Sequence, residues 1–278
     1  MPPSPHTLAL IDLALAEDLG TGDLTSEAIL PAGRRGRARM RAREPLVATG
    51  LWLAEAVFRR VDERCRARLR VAEGAEVESG ATLLEVRGPL RALLSGERTA
   101  LNFVRHLCGV ATLTRRYARA LRGTGCALLD TRKTTPGMRA LEKAAVRAGG
   151  GRNHRMGLFD GVMIKDNHIA AAGSIARAVA AARRRVPPTV RIEVECEGLA
   201  QVAQAVRAGA DIVMLDNMPP ARMAEAVRRV AGRARTEASG RITLARLAAI
   251  AATGVDYISV GALTHSAPAA DIALDLDA

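Results

Sequence analysis

Charged and polar side chains recur in the second half of the sequence, each time directly after a short apolar run. In chain order these groups are Asp130 to Lys133, Lys165 to His168, Glu193 with Glu195, Asp216 with Asn217, Ser239 with Gly240, and Gly261. If the apolar runs are strands of one parallel sheet, their carboxyl ends meet on a single rim. The pattern therefore predicts a site lined by cations and carboxylates, which suits the binding of small anions.

The positions of the lysines support the prediction of an anion-binding site. The chain has 41 Lys and Arg residues, and only Lys133, Lys143 and Lys165 are lysine. Two of these three lie at predicted strand ends. In a chain that uses arginine almost everywhere else, lysine at these positions indicates a requirement for a compact ammonium group on a flexible side chain. We therefore interpret Lys133 and Lys165 as functional. Lys143 lies on a predicted helix, where we expect it to pair with Glu142 or another neighbour.

The segment 189–196, TVRIEVEC, alternates between apolar and charged residues. In a strand this alternation places Ile192 and its apolar neighbours against the helices and the charged residues inside a barrel. Glu195 is then nearest the mouth. We expect Arg191 and Glu193 to form an internal ion pair that fills the barrel.

Two further kinds of segment favour anion binding. The glycine-rich segment 149–157 carries His154 and Arg155, which together can grip a carboxylate, although solvated loops of this composition are also common. Segments 238–244 and 260–266 each place a glycine between a strand end and a helix. Barrels often bind phosphate at such positions, on main-chain amides and helix N-termini.

The elements needed to position these residues can be read from the spacing of apolar residues. Six strand–helix units follow Gly123, which predicts a parallel sheet closed into a barrel with fewer than eight strands, or an open one. The first hundred residues predict a compact α+β unit. Its elements are helices over 7–19 and 51–61, short strands within 37–46 and 65–86, and a long helix over 93–121 interrupted at Gly109.

Composition limits the possible partners. The 278-residue chain carries a formal charge of +12, but its six aromatic residues leave few rings for stacking nucleic-acid bases. No helix-turn-helix or zinc-finger spacing is present. The four cysteines lie far apart, which favours a reducing cytoplasm over a disulfide framework. No signal peptide or membrane span is expected.

Taken together, the motifs resemble those of quinolinate phosphoribosyltransferases, and the resemblance covers residues 7 to 276. The segments that carry it are EDLGTGDLTSEAI, SGERTALNFVRHLCGVAT, TRKTTPGMRALEK, GGGRNHRMGL, IKDNH, EVE, LDN, EASG and VGALTHS. The resemblance implies an N-terminal α+β sandwich over 1–108 and an incomplete α/β barrel of six or seven strands over 109–265. The tail, residues 266–278, would pack back on the first domain.

The resemblance also implies a reaction and its residues. Quinolinate and 5-phosphoribosyl-1-pyrophosphate (PRPP), with Mg²⁺, would give nicotinate mononucleotide, pyrophosphate and CO₂. Lys133 would hold the pyrophosphate, and Glu195 and Asp216 the ribose and, directly or indirectly, the metal; these three would be catalytic. The quinolinate carboxylates would be surrounded by Arg98, Arg132, His154, Arg155 and Lys165. The 5-phosphate would be held by Ser239, Gly240 and Gly261 with Arg241, Val260, Ala262 and His265, and Thr131 would be a further substrate contact.

The resemblance also implies a homodimer, which could assemble further and in which Arg98 reaches into the neighbouring subunit's site.

Three other functions stay open from sequence alone. The same fold could transfer phosphoribose to another pyridine or base. Lys165 or Lys133 could form a Schiff base, as in an aldolase. A basic nucleic-acid-binding protein would show steeply salt-dependent binding to duplex DNA.

Overall fold

The computed structural model describes residues 4–277, which form two compact units. Unit 1 comprises the chain up to Leu113, a short piece at Arg147–Gly149, and the tail from Ala267. Unit 2 comprises Thr114–Val146 and Gly150–Ser266. The elements before the first strand of unit 2 are α1 (Pro5–Leu19), α2 (Leu24–Ile29), β1 (Arg35–Ala42), β2 (Leu46–Val47), α3 (Leu51–Val61), β3 (Arg66–Leu69), β4 (Glu76–Val77), β5 (Thr82–Pro89) and α4 (Leu90–Ala120).

The remaining elements alternate between strand and helix. They are β6 (Ala127–Leu129), α5 (Arg139–Ala148), β7 (Val162–Ile164), α6 (Asp166–Ala172), α7 (Ile175–Arg185), β8 (Ile192–Cys196), α8 (Leu199–Arg207), β9 (Ile212–Asp216), α9 (Pro220–Val230), β10 (Arg235–Ser239), α10 (Leu244–Ala251), β11 (Tyr257–Ser259), α11 (Ala262–His265) and β12 (Ile272–Asp277). None of the helices within residues 4–277 combines the length and apolar character that a membrane span needs.

Unit 1 contains a four-stranded sheet in the order β12-β1-β5-β3, with all neighbours antiparallel. The tail strand β12 pairs with β1 from Arg37 to Ala42. On β1 the alternate residues Ala38, Met40 and Ala42 are fully buried. The arginines between them lie on the other face, where Arg37 and Arg39 form ion pairs with Glu85 of β5. Part of the arginine excess is thus used in ion pairs of this sheet.

Helix α4 runs without a break through Gly109, so the predicted interruption is wrong. The glycine is there for close packing. A Cβ atom at position 109 would overlap the carbonyl oxygen of Pro268, because the tail passes directly over the helix at this point. Gly109 is thus required by a contact distant in sequence rather than by the local conformation of the helix.

Unit 2 contains one parallel sheet of six strands in the order β6-β11-β10-β9-β8-β7. Strands β6 and β7 are the two edges, and within residues 4–277 they do not pair with each other, so the barrel is incomplete as predicted. All six strands point the same way, which brings their carboxyl ends to one rim.

Candidate active site

A cavity of about 580 Å³ lies in unit 2 at the carboxyl ends of the strands. Eleven of the residues predicted from sequence line it: Thr131, Arg132, Lys133, His154, Arg155, Lys165, Glu195, Asp216, Ser239, Gly240 and Arg241. The cavity therefore has cations on the loops after β6 and β7 and carboxylates at the ends of β8 and β9. A volume of this size suits small-molecule ligands.

Two guanidinium groups form the cationic side. Burial and the neighbouring charge of Arg132 lower the pKa of Arg155, against the opposing effect of nearby carboxylates. The Nε atom of Arg132 is buried and has no hydrogen-bond partner among residues 4–277. Arg155 is held by Nη1 donating to the carbonyl of Gly161 across 3.1 Å. Two adjacent like charges with a spare buried donor are arranged to receive an anion, because a carboxylate would relieve their repulsion and accept that hydrogen.

Facing these cations are the carboxylates of Glu195 and Asp216, on the neighbouring strands β8 and β9. Lys165 Nζ donates to Glu195 Oε2 across 2.9 Å, and Asn217 Nδ2 donates to Asp216 Oδ2 across 2.7 Å. His168 Nδ1 accepts the main-chain N–H of Lys165 at 3.0 Å, which fixes the start of α6 and hence the root of the Lys165 side chain.

His154 lies deeper, against two carboxylates. Its Nε2 is 3.1 Å from Glu193 Oε2 and 3.5 Å from Glu237 Oε2. Burial lowers the pKa of His154, but these two carboxylates outweigh that effect and raise it to about 10. Burial and the charge of Glu237 raise the pKa of Glu193 to about 7, although His154 opposes them. The expected Arg191–Glu193 ion pair is wrong: Glu193 pairs with His154, and the side chain of Arg191 is exposed.

The same three side chains have the composition of a metal site. The hydrogen bonds argue against that role. His154 Nδ1 accepts the main-chain N–H of Arg155 at 2.7 Å, so the ring hydrogen lies on Nε2, facing the carboxylates. A metal-bound histidine carries its hydrogen on the nitrogen away from the metal. That description is of the neutral ring. With the pKa of His154 raised to about 10, the ring is cationic at neutral pH, and a second hydrogen on Nδ1 replaces the contact with the Arg155 N–H. Nε2 carries its hydrogen in both forms.

At the end of β10 the chain turns sharply through Gly240, whose φ is +97°. A Cβ atom here would be strained and would also overlap the side chain of Asn217. Gly261 precedes α11, and a Cβ atom on it would come within 3.1 Å of Lys133 Cδ and 3.2 Å of His265 Nε2. The remaining predicted contacts are Val260, which is buried, and Ala262 and His265 on α11; these three and Gly261 are not among the residues that line the cavity.

Two predicted residues have different surroundings. Arg98 lies on α4 within unit 1 and is not among the residues that line the cavity of unit 2. Of the partners expected for Lys143, Glu142 is wrong. Lys143 is fully buried and forms an ion pair with Asp130, which directly follows β6.

Four residues that line the cavity were not predicted: Met163, Met214, Glu237 and Ser259. Asn217 was predicted at this rim without a role, and it lines the cavity. For Glu237 a signal was available. Arg235, Glu237 and Ser239 alternate on one face of β10, as Glu193 and Glu195 do on β8. The two methionines lie inside apolar runs, where periodicity alone cannot separate the inner face of a barrel from the packed outer face.

Comparison with known proteins matches the chain to two family models. Residues 23–108 match "Quinolinate phosphoribosyl transferase, N-terminal domain" and residues 110–275 match its C-terminal domain. The chain is 46% identical over 267 residues to a probable nicotinate-nucleotide pyrophosphorylase [carboxylating] of Bacillus subtilis, covering 96% of this chain and 92% of that one.

A second relative is the nicotinate-nucleotide pyrophosphorylase [carboxylating] of Mycobacterium leprae. It is 46% identical over 269 residues, covering 95% of this chain and 94% of that one. Among solved structures, the nicotinate-nucleotide pyrophosphorylase of Francisella tularensis superimposes with a TM-score of 0.95 at 39% identity, covering 100% of this chain and 98% of that one.

Proposed function

The chain belongs to the quinolinate phosphoribosyltransferase family, and on that premise we propose that it transfers the phosphoribosyl group of PRPP to the nitrogen of quinolinate. Loss of CO₂ then gives nicotinate mononucleotide, with pyrophosphate as the other product, a step in the biosynthesis of NAD. The observation that carries this proposal is the cavity at the strand ends, where clustered cations face two carboxylates.

Quinolinate is a pyridine with two adjacent carboxylates, so it needs two cationic clamps. Arg132 and Arg155 supply one, with the buried Nε of Arg132 available as a donor. Lys165 supplies the other from the end of β7. His154 lies beside Arg155, and its Nε2 hydrogen faces the carboxylates of Glu193 and Glu237.

PRPP occupies the opposite side of the cavity. Its 5-phosphate lies against the turn at Ser239 and Gly240 and the Arg241 side chain, which line this end of the cavity. Lys133 holds the pyrophosphate, since its side chain is exposed at the rim beside Gly261. Glu195 and Asp216 then face the ribose.

As the bond between ribose and pyrophosphate breaks, positive charge develops on the sugar and negative charge on the leaving group. The carboxylates of Glu195 and Asp216 stabilise the sugar, and Lys133 stabilises the pyrophosphate. The pyridine nitrogen attacks the anomeric carbon. When the carboxylate next to the ring nitrogen leaves as CO₂, the electron pair of the broken bond stays on the ring carbon and is stabilised by the adjacent ring cation. That carbon then takes up a proton from solvent, so no covalent intermediate with the protein is needed.

The donor set also fits Mg²⁺, which prefers carboxylate and phosphate oxygens and keeps several waters. Glu195 and Asp216, at adjacent strand ends, would hold the ion with their carboxylates, either directly or through bound water. When bound there, Mg²⁺ neutralises charge on the leaving pyrophosphate.

We further propose a cytoplasmic homodimer in which Arg98 completes the quinolinate site of the neighbouring subunit. The four cysteines are free thiols, which is compatible with a reducing compartment.

The test is release of CO₂ from carboxyl-labelled quinolinate in the presence of PRPP and Mg²⁺, with nicotinate as the competing substrate. Equimolar CO₂ and nicotinate mononucleotide from quinolinate, with little turnover of nicotinate, is the expected result. Efficient turnover of nicotinate without CO₂ release would assign the chain to a non-carboxylating reaction and overturn the proposal.

A further inference from the structure

Helix α5 carries three charged residues on one face, and none of them lines the cavity. Arg139, Glu142 and Lys143 are spaced at i, i+3 and i+4, which places them side by side on a helix. Glu142 and Lys143 are both fully buried. Ionised side chains are rarely buried without partners, because removing them from water is costly. Their partners lie in the two loops that carry the cations of the active site.

Lys143 is connected to the loop that contains His154 and Arg155. Its Nζ forms an ion pair with Asp130 Oδ1 and donates to the main-chain carbonyl of His154 across 3.1 Å. Asp130 Oδ1 also accepts the N–H of His154 at 2.8 Å. The Nδ2 atom of Asn153 contacts Asp130 Oδ2 at 2.6 Å and the carbonyl of Lys143 at 2.8 Å. Both main-chain polar groups of His154 are therefore fixed by one buried ion pair.

Glu142 is connected to the other loop, the one that contains Lys133. Its carboxylate accepts the main-chain N–H of Thr135, at 3.1 Å to Oε2. Arg139 reaches both loops: Nε donates to Thr134 Oγ1 across 3.0 Å, and Nη1 donates to the carbonyl of Met156 across 3.2 Å. Most of these contacts are to main-chain atoms, so they determine where the loops lie without touching a ligand.

We propose that the charged face of α5 is a positioning device with one residue for each substrate. Lys143, acting through Asp130, positions His154 and Arg155 for the carboxylates of quinolinate. Glu142 positions the loop of Lys133 for the pyrophosphate of PRPP. The substrate assignments rest on the proposed function, and the division of labour between the two helix residues is the new claim.

The decisive variants separate charge burial from positioning. Lys143→Met alone leaves Asp130 as an uncompensated buried charge and lowers stability. The double variant Asp130→Asn with Lys143→Met removes both charges, so most of the stability returns, but the carbonyl of His154 still lacks its donor. We expect KM for quinolinate to rise about tenfold in the double variant, with KM for PRPP within about twofold of wild type.

Glu142→Leu removes the acceptor of the Thr135 N–H and is expected to give the opposite pattern. KM for PRPP rises about tenfold. KM for quinolinate rises less, because its clamp Arg132 lies further along this loop from Thr135 than Lys133 does. Glu142→Gln keeps an acceptor oxygen at this position and restores KM for PRPP. A matched control is the exposed ion pair of α9, Glu225→Gln with Arg229→Met, which leaves both KM values unchanged.

An unchanged quinolinate KM in the folded double variant overturns the proposal, as does an equal rise of both KM values in either arm. If the double variant fails to fold, Asn153→Ala carries the test, because Asn153 is partly exposed and links the same groups. It is expected to raise KM for quinolinate selectively, and equal effects on both substrates overturn the proposal. Wild-type turnover is measured first, so failure of the proposed function is seen separately.

Discussion

Lys165 Nζ and Glu195 Oε2 lie 2.9 Å apart, joined by a hydrogen bond across the ends of the neighbouring strands β7 and β8. The lysine side chain is 44% exposed, so the pair is partly solvated and little free energy is needed to separate it. Under the proposed function, a quinolinate carboxylate replaces Glu195 as the partner of Lys165, and the ribose of PRPP binds to the freed Glu195 carboxylate.

Glu195→Gln is expected to reduce kcat by about 10²- to 10³-fold, because the amide cannot stabilise positive charge developing on the ribose. The same change costs about 1 kcal/mol of stability or less, since a partly exposed ion pair contributes little. Steady-state kinetics and the thermal midpoint Tm check both expectations. A glutamine variant with near-normal kcat removes Glu195 from the mechanism, whereas a large drop in Tm makes the residue structural.

Lys133→Met is expected to reduce kcat/KM for PRPP by about 10²-fold, since it removes the cation that faces the pyrophosphate. Lys133→Arg should recover only part of this, because a planar guanidinium does not replace a compact ammonium beside Gly261. The control is Arg222→Met, which removes an exposed cation from α9. Full activity of Lys133→Met, or an equal loss in the control, contradicts the assignment.

The strand ends of unit 2 were predictable because the six apolar runs and the polar residues after them obey a local rule of parallel sheets. That rule alone places Lys165, Glu195 and Asp216 around one cavity. Local rules fail where a distant segment decides the outcome. Gly109 predicts a helix break, yet α4 continues through it. The residue is glycine because a Cβ atom there would overlap the carbonyl oxygen of Pro268 in the tail.

Lys143 shows the same limit for charges. Its partner Asp130 is 13 residues away and follows a strand, so helix spacing cannot indicate the pairing. The pairing of Glu193 with His154 likewise depends on a distant segment, the loop between α5 and β7, whereas the local pattern suggests Arg191. Buried ion pairs between non-neighbouring segments are tertiary features, and they hold the site residues in place.

Gly240→Ala is expected to raise KM for PRPP about tenfold or more, because the displaced turn no longer presents its amides to the 5-phosphate. Gly232→Ala is the matched control. Its φ of +71° is also left-handed, but the space around it is open within 4 Å. It should cost about 1 kcal/mol of stability without changing KM. Equal KM values in the two variants contradict a phosphate site at Gly240.

Glu85 should make unit 1 sensitive to acid. Hydrogen bonding to Arg70, with further help from Arg37, lowers the pKa of Glu85 from 4.5 to about 2 despite partial desolvation. Because the folded-state pKa lies below the unfolded value, this contribution to stability is complete above about 4.5 and is lost as the pH falls towards 2. Tm measured across this window should fall, and Glu85→Gln should flatten the fall.

The control for Glu85 is Asp12→Asn, which breaks a more exposed pair with Arg60. A single pair of this kind contributes little to stability, so its pH profile of Tm should follow that of wild type more closely. Identical profiles for wild type and Glu85→Gln would show that the three arginines around Glu85 do not stabilise the sheet.

Arg98 offers a test of the proposed dimer. Arg98→Ala and Lys133→Met should each be nearly inactive when assayed alone, since one lacks a quinolinate clamp and the other a pyrophosphate clamp. If Arg98 serves the neighbouring subunit, a mixed dimer has one site with both defects and one intact site. Random reassociation of equal amounts should then restore about one quarter of wild-type activity, because half of the dimers are mixed and each has one working site of two. A mixture no more active than its components would place Arg98 in the site of its own chain or outside the site.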